Sequence, residues 1–136
     1  MMSEQDNVQV AQQAFEAFGR GDIPALLGLV SDDVVWDTMA SADTIPWASR
    51  RRGPEQVGQF FSDLTGAVDF QQLQPREFIA QGDRVVVLGH SHYTVRANGR
   101  PLEQDWVMVL KLRDGKVSEY QYFEDTAATV AALQGS

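Results

Sequence analysis

The sequence predicts an α+β fold in which three amino-terminal helices pack on a mixed or antiparallel β-sheet that is followed by a short carboxy-terminal helix. In the first half, apolar residues recur at helical spacing around one short segment of β-favouring residues. The second half alternates apolar and polar residues in four runs that are separated by glycine-containing turn dipeptides. Because no repeat, low-complexity segment or linker interrupts this order, we expect a single domain over residues 1–136.

The first two helices are predicted from apolar spacing and from capping residues. Residues three or four positions apart form one apolar face of the first helix: Val8, Ala11, Phe15 and Phe18. Ser3 and Asp6 are spaced as in a capping box, in which each side chain accepts a hydrogen bond from the backbone of the other. Asp22 is placed to cap a second, short helix, and Pro24 falls in its first turn, where no backbone donor is lost.

The remaining elements follow from the same signals. Residues 34–38 predict a short strand, residues 39–53 predict an irregular loop, and Gly53-Pro54 predicts the start of a third helix that continues to Leu64. The four strands of the second half are predicted at about 69–80, 84–95, 101–113 and 116–124. A last helix is predicted over 127–133, behind Asp125 or Thr126 as its cap.

Two-residue turns at Asn98-Gly99 and Asp114-Gly115 would fix which residues share a face of the sheet. The first turn predicts these pairs: Val85 with Leu112, Val87 with Leu110, Gly89 with Met108, Ser91 with Trp106, and Tyr93 with Gln104. The second turn predicts these pairs: Leu112 with Val117, Leu110 with Glu119, Met108 with Gln121, Trp106 with Phe123, and Gln104 with Asp125. The opposite face would carry Leu88, His90, His92, Val107, Val109, Tyr120 and Tyr122, which is too apolar a set to be left in water. We therefore expect helices on the first face and a second subunit on the other.

Composition and charge exclude several classes of function. The chain has 11 Lys and Arg against 19 Asp and Glu, a net charge of −8 that would repel nucleic acid. It has no cysteine, so neither disulfides nor thiolate metal sites are expected. The amino terminus has no targeting pattern, and no apolar run approaches the roughly 20 residues that span a bilayer. We expect a cytoplasmic protein with no nucleic-acid and no membrane partner.

Several short segments resemble the SnoaL-like polyketide cyclase and ketosteroid isomerase relatives, which have the nuclear-transport-factor-2-like fold. These segments are Phe15-Glu16-Ala17-Phe18-Gly19-Arg20-Gly21-Asp22, Asp32-Asp33-Val34-Val35-Trp36, Arg52-Gly53-Pro54-Glu55-Gln56-Val57, Gly82-Asp83-Arg84-Val85-Val86-Val87, Arg113-Asp114-Gly115-Lys116-Val117 and Tyr122-Phe123-Glu124-Asp125-Thr126-Ala127-Ala128. The resemblance implies a cone-shaped roll with a strongly curved sheet. It also implies a cavity for a small apolar, ring-containing molecule between sheet and helices, and a homodimer through the outer sheet face.

At the matching positions, this sequence lacks the usual catalytic groups of ketosteroid isomerases. The positions of the proton-moving aspartate, the helix tyrosine and the second acid fall on Thr38, Ala14 and Met108. A slip of one residue would bring Asp37 to the first position, but the first helix contains no tyrosine. The epoxide hydrolases of this fold use an Asp, Arg, Asp set with an Arg-x-Asp pair on one strand, and the nearest local analogue of that pair is Gln104-x-Trp106. Neither activity is therefore expected by its standard mechanism.

The polyketide cyclases of the fold have an acid/base aspartate near the end of the last strand, and Asp125 resembles it. At the mouth of an apolar cavity, desolvation would favour the neutral acid and suit it to proton transfer. The competing interpretation is that Asp125 is only the cap of the last helix. The residues predicted to bind substrate around it are Trp36, Tyr93, Gln104, Trp106, Met108, Gln121 and Phe123. Trp47 is a further candidate for the aromatic lining, and Arg76 is a candidate charge partner on the same face.

The leading hypothesis is thus an isomerase or cyclase that moves a proton on a small apolar carbonyl or polyketide-like compound. The alternative is a non-catalytic, dimeric module that binds a hydrophobic ligand or assists another protein. A metal site can also be drawn from His90, His92 and Asp105, but these residues lie on the predicted outer face, where a His92–Asp105 pair is favoured. No metal and no other cofactor is expected.

Overall fold

The computed structural model describes residues 2–135 and confirms the predicted α+β class and the order of the elements. The helices are α1 (Glu4–Gly19), α2 (Ile23–Leu27), α3 (Gly53–Ala67) and α4 (Thr126–Gln134). The strands are β1 (Val30–Thr38), β2 (Arg51–Arg52), β3 (Val68–Gln81), β4 (Arg84–Val95), β5 (Pro101–Arg113) and β6 (Lys116–Phe123). The six strands form one mixed sheet in the order β2-β1-β6-β5-β4-β3, in which β1 is parallel to β6 and the other pairs are antiparallel.

The predicted helix caps form. Ser3 and Asp6 exchange the two hydrogen bonds of a capping box at the start of α1, each 3.0 Å long. Asp22 accepts a hydrogen bond from the backbone of Ala25 at the start of α2. Within residues 2–135, no helix is both long and apolar enough to cross a membrane.

The loop between β1 and α3 is more ordered than the sequence predicts. Ile45 and Trp47 are buried in it, and the buried guanidinium of Arg51 donates to the carbonyl oxygens of Trp47 and Ser49 and to Asp63 on α3. Arg51 also begins β2, a two-residue strand that the sequence does not reveal. One arginine of the Arg50-Arg51-Arg52 run therefore fixes the loop against the core instead of remaining in water.

The β4–β5 register is two residues away from the prediction. Gly89 pairs with Trp106, Ser91 with Gln104 and Tyr93 with Leu102, because Val95 and Arg100 close a four-residue loop around Asn98-Gly99. The side chain of Asn98 donates to the backbone carbonyl of Ala132 at the end of α4 instead of forming the tight turn. Since a shift of two residues preserves the alternation, the predicted face of every β4 and β5 residue is still correct.

The β5–β6 register changes face partway along the strands. The pair Leu112 with Val117 forms as predicted, but Lys111 then pairs with Glu119, so that Ser118 is an extra residue in β6. The hydroxyl of Ser118 donates to the carbonyl of Lys111 at 3.2 Å. This β-bulge inverts the rest of β6, because a slip of one residue moves every later side chain to the other face.

The inversion corrects the predicted faces of β6. Tyr120, Tyr122 and Glu124 follow Val117 on the inner face, the one that meets α1 and α3. Gln121 and Phe123 lie on the outer face, whereas a regular ladder after the Asp114-Gly115 turn predicts them on the inner face. The predicted pairs of Met108 with Gln121 and of Trp106 with Phe123 are therefore wrong.

The close approach of Trp106 to β4 requires a glycine at position 89. A β-carbon built on Gly89 would lie 2.2 Å from a ring carbon of Trp106, well inside van der Waals contact. The Trp106 ring stacks on Phe15 of α1 at a centroid distance of 5.8 Å, so it cannot move away freely. Gly89 thus allows the largest fully buried side chain to sit between the sheet and α1.

We expect Gly89→Ala to destabilise the protein by about 1–3 kcal/mol, because the added methyl group displaces a fully packed ring. Chemical denaturation of the purified variant measures the change. The matched control is Gly66→Ala in α3, where an added β-carbon meets no atom within 4 Å and which we expect to be neutral or stabilising. Equal stability of the two variants would contradict this account of Gly89.

Candidate functional site

An apolar pocket lies between the inner face of the sheet and helices α1 to α3, with a volume of about 100 Å³. Aromatic and aliphatic side chains make up most of its wall: Phe15, Phe18, Trp36, Trp47, Phe60, Phe61, Leu64, Phe70, Leu73, Tyr93, Met108, Leu110, Tyr120 and Tyr122. Many of these rings touch one another, and Trp36 and Tyr120 stack at 3.6 Å. Such a wall favours a flat apolar molecule that is held by few polar contacts.

Glu124 is the one carboxylic acid in the wall of this pocket, among the residues that the structure describes. Its Oε2 accepts hydrogen bonds from Nε2 of Gln104 on β5 and, at 3.0 Å, from the hydroxyl of Thr129 on α4. Gln104 Nε2 also lies 3.0 Å from that hydroxyl, so the three groups form one cluster. Because both donors bind Oε2, the carboxyl group has a fixed orientation and Oε1 is left for another partner.

Burial of Glu124 raises the pKa of its carboxyl group to about 7, and the nearby charge of Asp125 adds to this shift. The hydrogen bonds from Thr129 and Gln104 act in the opposite direction and are outweighed. A carboxyl group with a pKa near neutrality can both accept and return a proton at physiological pH. Glu124 therefore has the environment that the sequence predicts for Asp125.

Three tyrosines of the pocket wall are held in their neutral form. Burial raises the pKa of Tyr93 to about 12, and the charge of Glu124 contributes to that shift. Burial also holds the pKa of Tyr120 and of Tyr122 well above the usual value. The buried hydroxyl of Tyr93 lies near the Thr129 hydroxyl, which acts to lower its pKa, but it makes no hydrogen bond of full geometry within the described chain and can donate to a bound molecule.

The structure separates the predicted site residues into two groups. Trp36, Tyr93 and Met108 line the pocket. Gln104 lies behind Glu124 as its hydrogen-bond donor, whereas Trp106 packs between Gly89 and Phe15 beside the pocket.

Asp125, Gln121 and Phe123 do not line the pocket. Asp125 accepts a hydrogen bond from the backbone of Ala128 at 3.1 Å as the N-cap of α4, which is the competing interpretation considered for it. Gln121 and Phe123 lie on the outer face because of the bulge at Ser118. Glu124 could be identified from the sequence only if the bulge at Ser118 were known.

The outer face carries a small charged cluster instead of the predicted His92–Asp105 pair. His90 contacts Asp105 through Nδ1 at 2.8 Å and Glu103 through Nε2 at 2.9 Å. Asp105 and, to a lesser degree, Glu103 raise the pKa of His90. Arg76 is the extra residue of a bulge in β3 and lies 3.7 Å from Asp105, so it is not the partner of Asp125. Between residues 2 and 135, no three His, Asp or Glu side chains are arranged so that they could hold a metal ion.

The three positions that correspond to the catalytic groups of ketosteroid isomerases also lie in the pocket wall. Thr38, Ala14 and Met108 all line it. Asp37 points away from Trp36 and Thr38 along the alternation of β1, so it does not reach the first of these positions. These three positions therefore carry no carboxyl group, and the one carboxyl group that the described residues place in the wall, that of Glu124, comes from the end of β6.

Replacing Glu124 with glutamine should remove a pH-dependent loss of stability. Because the pKa of Glu124 is raised from 4.5 to about 7 on folding, folding favours the protonated form, and stability falls as pH rises through this range. The loss above pH 7 is roughly 3 kcal/mol. We expect Glu124→Gln to be more stable than the parent by about that amount in alkaline buffer and similar to it below pH 4.5. Denaturation curves at several pH values measure this, and parallel curves for the two proteins would contradict it.

Comparisons with known proteins agree with this architecture. The family model of the SnoaL-like domain matches residues 11–120. No curated protein sequence matches the chain.

Solved structures match over nearly the whole chain. A nuclear-transport-factor-2-like protein from Burkholderia xenovorans is 33% identical, with a TM-score of 0.88 over 98% of this chain and 99% of its own. TerC, crystallised with polyporic acid, is 26% identical, with a TM-score of 0.86 over 95% and 98%. A candidate polyketide cyclase from Xanthomonas campestris shares the fold at 19% identity, with a TM-score of 0.79 over 96% and 99%. From the sheet order, the pocket and these matches, we conclude that this chain belongs to the SnoaL-like family of the nuclear-transport-factor-2-like fold.

Proposed function

We propose that this protein is an isomerase or cyclase that transfers a proton on a small, apolar, ring-containing carbonyl compound. The observation that carries the proposal is the Glu124 carboxyl group, which has a pKa of about 7 and lies in the wall of an otherwise apolar pocket. The crystallisation of the related TerC with polyporic acid supports an organic ligand for this kind of pocket. Membership of the SnoaL-like family supports cyclase or isomerase chemistry.

Glu124 would act as the general base through Oε1. Gln104 and Thr129 fix Oε2, so that only the other oxygen can approach a carbon next to a carbonyl group. Removal of a proton there moves negative charge to the carbonyl oxygen, and the neutral Tyr93 hydroxyl would donate to it. The same carboxyl group would then return the proton to complete an isomerisation or a ring closure.

Hydrogen–deuterium exchange in 1-tetralone, a bicyclic ketone, tests this proposal without knowledge of the natural substrate. We expect the protein to accelerate exchange at the carbon next to the carbonyl, and Glu124→Gln to lower the rate at least a hundredfold. The rate should rise with pH through about 7, because only the ionised form of Glu124 accepts a proton. Proton NMR in deuterated water follows the exchange.

Asp125→Asn is the matched control, since asparagine also caps helices and the pocket keeps its carboxyl group. We expect this variant to exchange at the parental rate. If Asp125→Asn lost activity while Glu124→Gln retained it, the sequence-based assignment of Asp125 would be right and the proposal for Glu124 wrong. Binding of 1-tetralone with no exchange would favour the non-catalytic module.

We also propose that the protein forms a homodimer through the outer face of the sheet. Leu88, Val107 and Val109 lie on that face and are only partly buried, and Phe123 is 39% exposed beside them. A cluster of partly exposed apolar side chains of this kind is typical of a subunit interface. The dimer would cover it and leave the pocket on the other face open to its ligand.

Substituting Phe123 with glutamate should shift the protein from dimer to monomer, because it places a charge within the proposed apolar interface. Sedimentation velocity at several concentrations measures the mass. The control is Met39→Glu, which changes a residue of similar exposure in the loop after β1. A parent protein that sediments as a monomer, or two variants that remain dimeric, would contradict the proposed interface.

A further inference from the structure

Besides the Tyr93 hydroxyl, two further hydrogen-bond donors in the pocket wall have no acceptor within residues 2–135. They are the indole Nε1 of Trp36 and the hydroxyl of Thr38, whose residues are 6% and 3% exposed. Both side chains line the pocket and both belong to β1. Buried donors without partners are rare in folded proteins, because the loss of water is not compensated. A bound molecule with an oxygen atom at this position would supply the missing acceptor.

The packing around Trp36 prevents its indole from turning toward another acceptor. Its ring stacks on Tyr120 with an interplanar angle of 4°, and the edges of Phe60 and Phe61 lie at centroid distances of 5.8 and 5.7 Å. Three aromatic rings thus hold the N–H group in one orientation before any ligand binds. Such a preorganised donor contributes to binding without a further loss of side-chain freedom.

These donors and Glu124 occupy different ends of the pocket. In the parallel register of β1 and β6, Trp36 is level with Tyr120 and Thr38 with Tyr122. Trp36 therefore lies about 13 Å, and Thr38 about 7 Å, from the level of Glu124 along the strand direction. The carboxyl group of Glu124 turns toward β5 and α4, on the side of β6 that is opposite β1.

On the basis of the function proposed above, we infer that the substrate carries a second oxygen atom, which Trp36 and Thr38 bind while Glu124 acts beside the carbonyl group at the other end. The substrate class is then a cyclic ketone of one or two rings with a hydroxyl or second carbonyl group remote from the reacting carbon. Apolar side chains between the two ends require a hydrocarbon ring there.

A pair of ring compounds that differ in one group tests this inference. In 6-hydroxy-1-tetralone and 6-methyl-1-tetralone, the hydroxyl and methyl groups have similar size, but only the first offers an acceptor. At mildly acidic pH, where the phenol is neutral, we expect the parent protein to bind the hydroxy compound about tenfold more tightly. Thr38→Val and Trp36→Phe should each reduce this preference several-fold, as measured by calorimetry. The control is Thr94→Val, which removes a hydroxyl that donates to Gln71 on the outer face and should leave the preference unchanged.

An NMR measurement on the unsubstituted protein avoids any effect of these changes on folding. The three indole N–H signals belong to Trp36, Trp47 and Trp106. We expect the Trp36 signal to move downfield with the hydroxy compound and to move little with the methyl compound. The signal of Trp106, whose ring lies beside the pocket and not in its wall, serves as the internal reference.

Absence of a preference in the parent protein, or an unchanged preference in both β1 variants, would overturn the inference. Neither result depends on turnover, so each can be separated from failure of the proposed function. Loss of the exchange reaction with the hydroxyl preference intact would count against the role of Glu124 alone. Conversely, exchange that depends on Glu124 without any hydroxyl preference would leave the proposed function standing and remove the second binding position.

Discussion

The position of Glu124 depends on one extra residue in β6. Ser118 is the extra residue of this strand and has no partner on β5, so every later side chain lies on the opposite face. Burial favours this arrangement, because it places the rings of Tyr120 and Tyr122 against the core and leaves the charged Glu119 in water. In a regular ladder, Glu119 would lie inside and Glu124 outside. The bulge thus decides both the aromatic wall and the identity of the carboxyl group in it.

The short helix α4 completes the site although it contributes little to the core. Asp125 caps its first turn, and one turn later Thr129 reaches Glu124 with its hydroxyl. Gln104 approaches the same oxygen from β5, so two independent elements hold the carboxyl group. Asp125, as the cap of α4, therefore also supports the orientation of the Glu124 carboxyl group. Glu124 and Asp125 have different roles because the chain turns from β6 into α4 at these two residues.

Local signals predict most of the fold but not the site. Capping residues and alternation place the helices and the last four strands within a few residues of their observed bounds, since these signals act over neighbouring positions. Local signals do not predict the strand register, because the register depends on contacts between residues remote in sequence, such as the hydrogen bond from Asn98 to Ala132 in α4. The segment around Ser118 offers no clear polar or apolar alternation that would reveal the bulge. An error of one residue there is enough to select Asp125 instead of Glu124.

The distribution of acids in the pocket constrains the chemistry that it can support. Thr38, Ala14 and Met108 occupy the positions of the usual acids and tyrosine, and none of them carries charge. Tyr93, Tyr120 and Tyr122 stay neutral because burial raises the pKa of each. Glu124 is then the one group in the described wall that can exchange protons near neutral pH. A proton that it removes must return from the same side of the bound ring, which favours isomerisation on one face over chemistry that needs an acid and a base on opposite faces.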